Sequence, residues 1–92
     1  MQSKIFKYPI KASGETIVRV PKDAEFLSVK NQSNEVVAYF LITEESASTG
    51  LYEERVFFTV PTGQQFELKR GMLFYETLMM YGDNFVIHVF TR

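Results

Sequence analysis

The sequence predicts a mainly-β fold: a small antiparallel β-sandwich or barrel of about seven to eight strands, with room for one short helix. Three observations lead there. Apolar and polar residues alternate with period two along most of the chain. The alternating segments are short and broken by Gly, Pro, Asn and Asp at intervals of about 8–12 residues. The composition, 46% hydrophobic and 15% aromatic, is that of a packed domain and not of a disordered chain. At 92 residues the expectation is a single β-rich domain spanning 1–92.

Residues 4–10 alternate as a first strand, with Phe6, Tyr8 and Ile10 on one face. Pro9 cannot donate to a ladder, which places that strand at a sheet edge or Pro9 at its end. Ala12-Ser13-Gly14 is a short turn before residues 15–20, so these two strands are expected to form a hairpin. Pro21-Lys22-Asp23-Ala24 turns the chain into a third strand over 26–30. Asn31-Gln32-Ser33-Asn34 is a tight polar connection. Residues 36–43 are nearly all apolar, the pattern of a central strand covered on both faces.

The polar stretch 44–50 reads as a mobile loop. A fifth strand is expected over 55–60, a turn at Pro61-Thr62-Gly63 and a short extended piece at 66–69. Residues 72–80 fit a strand, but Glu76, Leu78 and two methionines also allow a short helix. Tyr81-Gly82-Asp83-Asn84 is a turn, and 85–91 is the last strand. The two passages Val20-Pro21…Phe26 and Val60-Pro61…Phe66 echo one another, which two similar turns account for.

Several chemistries lack their residues. With no cysteine there is no disulfide or thiolate metal site, which suits a reducing cytoplasm, the expected location. The opening Met1-Gln2-Ser3-Lys4 lacks the apolar core of a signal peptide. The longest apolar run, 36–42, is far short of the roughly 20 residues of a spanning helix, so no membrane is expected. Net charge is −1 and the cations are scattered, only Lys69 and Arg70 being adjacent, so strong nucleic-acid binding is not expected. Neither a P-loop nor GxGxxG occurs, and one histidine cannot make HExxH. No metal and no cofactor is expected. Glu44-Glu45 and Glu53-Glu54 would point to opposite faces if extended, so neither pair converges as catalytic carboxylates must.

His88 is the one candidate base near neutral pH. It lies among apolar strand residues with no GxSxG serine, and is expected to be half-buried and hydrogen-bonded. No catalytic residue is assigned. What the chain does have is surplus rings: nine phenylalanines and five tyrosines. Phe57-Phe58 and Phe74-Tyr75 must each split across a sheet, leaving one ring of each pair for an outer layer or a partner. Met79-Met80-Tyr81 adds adaptable apolar surface. Tyr8, Arg55, Tyr75, His88 and Arg92 are the candidate ligand-binding residues, able to cage a phosphate and stack a base if they converge.

The opening Ile5-Phe6-Lys7-Tyr8-Pro9-Ile10, the segment from Val20-Pro21-Lys22-Asp23 to Val29, Thr62-Gly63 and the closing Phe85-Val86-Ile87-His88-Val89-Phe90 together resemble a family of short proteins encoded by bacteriophages and prophages. The resemblance implies a β-rich fold and a phage origin, and assigns no catalytic residue. Three readings follow. The leading one is a non-enzymatic phage accessory protein that binds and inhibits a host protein of transcription or antiviral defence, in the host cell cytoplasm. The others are an oligomeric sponge for a signalling nucleotide and a virion-associated structural protein. Self-association into a homo-oligomer is expected.

Overall fold

In the computed structural model, which describes residues 2–92, the alternating segments become seven strands and one helical turn. They are β1 (Ser3–Ile10), β2 (Gly14–Pro21), β3 (Glu25–Gln32), β4 (Glu35–Thr43), α1 (Glu44–Ser48), β5 (Tyr52–Pro61), β6 (Leu73–Met80) and β7 (Phe85–Thr91). The strands make two antiparallel sheets, ordered β1-β4-β3 and β2-β5-β7-β6. This is the sandwich that period-two patterning predicts. One face of each sheet supplies the core: Val29, Ala38 and Phe40 from the first, and Val20, Phe57, Ile87 and Val89 from the second, all fully buried.

Rings clamp the two layers. Phe40 on β4 and Phe57 on β5 face each other edge-on, with centroids 6.3 Å apart. Phe26 on β3 lies 5.5 Å from both. Edge-to-face packing of this kind adds about 0.5–1.5 kcal/mol per pair beyond area burial. Phe57 is core and Phe58 points outward; Tyr75 packs inward and Phe74 outward. Both aromatic pairs thus split across the sheet as their adjacency requires.

β4 is the central strand of its sheet, and Val36, Val37 and Ala38 are buried in succession, which explains its unbroken apolar run. β1 is an edge strand, consistent with Pro9. Ser33 and Asn34, with φ of 51° and 66°, turn β3 into β4; positive φ at both central positions matches the right-handed twist of the strands. Pro21 and Pro61 open two equivalent turns: Ala24 N donates to Pro21 O, Gln64 N donates to Pro61 O, and Asp23 and Gly63 take the positive φ at the third position. The echo ends there, since Phe26 joins the core whereas Phe66 lies on the outer face.

Three expectations are corrected and one open choice, at residues 72–80, is decided. β1 and β2 are not a hairpin: β1 pairs with β4 and β2 with β5, so residues 11–13 carry the chain from one sheet to the other. Residues 44–48 are helical and not a loop, because Thr43 caps them, its Oγ1 accepting from Ser46 N at 3.0 Å, and Glu44 and Glu45 favour the helix N-terminus. The buried Ser46 hydroxyl also donates to the Lys22 carbonyl, tying this turn to the chain beyond β2. Residues 72–80 yield strand β6, with a bulge between Phe74 and Glu76 that interrupts simple alternation there. Residues 66–69 form no strand; the segment 64–71 is an irregular strap over the outer face of β5 and β7.

Candidate functional site

Side chains at even positions of β5 and β7 point away from the core, and they are large. Phe58 and Phe90 are directly paired across the two strands, and Phe90 is paired in turn with Phe74 on β6. The strap lays Phe66 on top, 6.0 Å from Phe58 and 5.7 Å from Phe90, while Phe74 meets Phe90 at 5.8 Å. The result is a four-ring layer on the outside of the larger sheet. Two of its rings are open to solvent, Phe66 at 45% and Phe74 at 58% exposed, with Leu68 at 50% and Ile17 at 54% nearby, while Phe58 and Phe90 are half-buried. Cations border it. Lys69 pairs with Glu15 at 3.2 Å, and the Arg92 guanidinium donates to the Arg70 carbonyl.

His88 lies on this same outer face, half-buried. Its Nε2 is 2.7 Å from the Thr62 hydroxyl and its Nδ1 2.9 Å from the Thr77 hydroxyl. Two hydroxyls and no carboxylate orient the ring, so the polar contacts made by His88 are those of a satisfied strand histidine. Among the described residues no group of three or more His, Asp or Glu is placed to hold a metal ion. No helix of the described chain is long and apolar enough to cross a membrane.

The other four candidate residues gather only in part. Tyr8 packs edge-on against Phe40 at 5.5 Å, and Tyr75 against Phe26 at 4.9 Å. The Arg55 guanidinium lies over both Phe26 and Phe40, at 5.5 and 5.7 Å, and its Nε donates to the Arg92 carbonyl. Tyr8, Arg55 and Tyr75 therefore surround one pair of core rings. The Arg92 side chain turns instead to the strap, and His88 is on the other side of the sheet. The five do not line one pocket. A shallow cleft of about 270 Å³ opens elsewhere, between the start of β1 and α1, lined by Lys4, Phe6, Ile42, Thr43 and Glu44 among others. It offers one cation beside one carboxylate.

Burial, and the neighbouring Tyr52, hold Tyr8 above the ordinary tyrosine value. The folded chain thus grips this proton more tightly than the unfolded chain. The stability so gained is complete below about pH 10 and is lost as pH rises through the folded value. Tyr8→Phe is expected to flatten that alkaline decline, measured as urea midpoints at neutral pH and above pH ~10. A decline as steep as in the wild type would show that Tyr8 ionises as freely as in the unfolded chain.

Sequence reasoning named the split pairs and missed Phe66 and Phe90 as their companions. The signal for Phe90 was present: Phe58 and Phe90 share outward parity on their strands. Phe66 carried none, since its strap has no period.

Fold and surface together define a two-sheet β domain whose most developed feature is an exposed aromatic face with a basic border. The chain belongs to the family described as Domain of unknown function (DUF7352), which it matches over residues 1–92. No curated protein and no solved structure matches it significantly.

Proposed function

We propose that this protein is a non-enzymatic binding module of phage origin that captures a host protein, such as a component of transcription or antiviral defence, on the outer face of the β2-β5-β7-β6 sheet. The outer layer of Phe58, Phe66, Phe74 and Phe90, in which Phe66 and Phe74 are exposed, carries the reading. Rings held by one another lose little side-chain freedom on binding, and aromatic anchors dominate protein interfaces. Arg70 and Arg92 at its border, where Lys69 is already paired with Glu15, favour an apolar surface flanked by carboxylates.

The nucleotide-sponge alternative draws less support. Its best cation, Arg55, is already engaged by two rings and a carbonyl, and His88 and the Arg92 side chain lie apart from it.

The test is a pull-down from bacterial lysate with the wild type and with the double variant Phe66→Asp/Phe74→Asp. A stoichiometric partner held by the wild type and lost by the variant is expected. Both rings are about half exposed but pack on Phe58 and Phe90, so the variant should lose some stability and still fold, which its circular dichroism checks. Recovery of no partner, or of the same partner by both proteins, would defeat the proposal.

A further inference from the structure

Of the four sheet edges, three are guarded against pairing. β1 carries Lys4, Lys7 and Pro9, residues that discourage a further strand. β3 and β6 shield one another: Asn31 Nδ2 donates to Met79 O, the Tyr75 hydroxyl donates to Leu27 O, Tyr81 N donates to the Asn34 side chain, and each strand has a bulge. β2 has none of these devices. It holds continuous register with β5 from Gly14 to Pro21, without a lysine, a bulge or an interior proline.

The direction of its free groups can be read from its neighbours. Thr62 N donates to Val86 O and Arg92 N donates to Val56 O, so the even positions of β5 bond β7. The odd positions therefore bond β2, through Thr16, Val18 and Val20 opposite Phe57, Arg55 and Glu53. That leaves Glu15, Ile17 and Arg19 with N–H and C=O aimed away from the sheet. Their side chains share one face, in the order acid, apolar, base.

We infer that β2 pairs with β2 of a second copy, antiparallel about a two-fold axis at Ile17, to give one continuous eight-stranded sheet. Ile17 is the midpoint between Gly14 and Val20, so the register fits the strand from its opening glycine to the residue before Pro21. In it Ile17 meets Ile17 of the second copy, and Glu15 meets Arg19 in both directions. Each pair is of the type that exchanges both backbone hydrogen bonds, about six in all. Val56, Ile17 and their two counterparts form one apolar row across the seam. Glu15 lies between Lys69 of its own chain and Arg19 of the other. The charges are self-complementary in this register, as an isologous interface demands. The dimer would set two aromatic faces side by side on one sheet, and it stands whatever those faces bind.

Sedimentation of the 92-residue chain tests the pairing. The wild type is expected to dimerise. Glu15→Arg sets like charges opposite each other at two places, and Arg19→Glu does the same, so each should weaken self-association by about tenfold or more. An equimolar mixture of the two variants restores both opposite-charge pairs and should recover a heterodimer, as should the double variant Glu15→Arg/Arg19→Glu in a homodimer. Phe66→Asp/Phe74→Asp should leave the dimer intact. Hydrogen exchange on the wild type provides a reading free of mutation: the amides of Ile17 and Arg19 should become more protected as concentration rises. A wild type monomeric at all concentrations, a dimer indifferent to both charge reversals, a dimer lost in the Phe66/Phe74 variant, or no concentration dependence of the β2 amides would each overturn the inference.

Discussion

Phe40→Ala is expected to lower the stability of the fold by about 3–5 kcal/mol, the range for removing a buried ring when its surroundings cannot collapse. In a domain of this size that is a fall in melting temperature of roughly 12–40 °C, enough to unfold much of the protein at 37 °C. The argument rests on what Phe40 touches. It is fully buried on the central strand β4, with Tyr8, Phe26 and Phe57 around it and the Arg55 guanidinium over its face. β1 is registered on β4 from Val36 to Thr43 and β3 from Glu35 to Leu41, so strands flank Phe40 on both sides and the backbone is poorly able to sink into the space. Phe40→Leu should cost far less, since most of the volume stays. Thermal melts followed by circular dichroism decide the matter. A fall under about 5 °C for the alanine variant would mean that the sheets are not clamped at this ring.

The fold was legible wherever local pattern and long-range pairing ask for the same thing. The β3–β4 and β6–β7 turns contain Asn34, Gly82 and Asp83, residues that tolerate positive φ, and both join strands that do pair. The short link after Ile10 looked the same, yet it is a corner between sheets. Turn chemistry reports that the chain reverses or bends; it does not report which strand lies alongside, because partners such as β4 and β5 are set by burial across the whole chain. The helix at 44–48 was hidden by its polarity: five residues capped by Thr43 have too short an apolar face to show a 3.6 period. The candidate site was legible by parity alone. Phe58 and Phe74 announced an outer face, whereas the position of Phe66 depends on a strap with no repeating pattern, and the separation of His88 from Arg55 is a fact of opposite sheet faces.

The corner itself hangs on one hydroxyl. Thr59 is completely buried on β5, opposite Gly14, and its Oγ1 lies 2.6 Å from the Lys11 carbonyl and 3.3 Å from that of Gly14. It has a single proton to give, so the shorter contact is the hydrogen bond. Thr16 completes the fastening by accepting from Lys11 N at 2.9 Å. Thr59→Val keeps the shape and removes the donor. A methyl group then faces a carbonyl oxygen at a distance shorter than carbon and oxygen tolerate, and that carbonyl loses its partner. The expected loss is about 1–3 kcal/mol. Thr59→Ser, which keeps the hydroxyl and gives up a methyl, should cost about 1 kcal/mol. Hydrogen exchange should localise the damage in Thr59→Val, with faster exchange from Lys11 to Thr16 and little change in the β3–β4 and β6–β7 hairpins. Valine matching threonine in stability would mean that strand pairing alone holds β1 and β2 in separate sheets. The corner would then need no hydrogen bond to resist the hairpin that its sequence suggests.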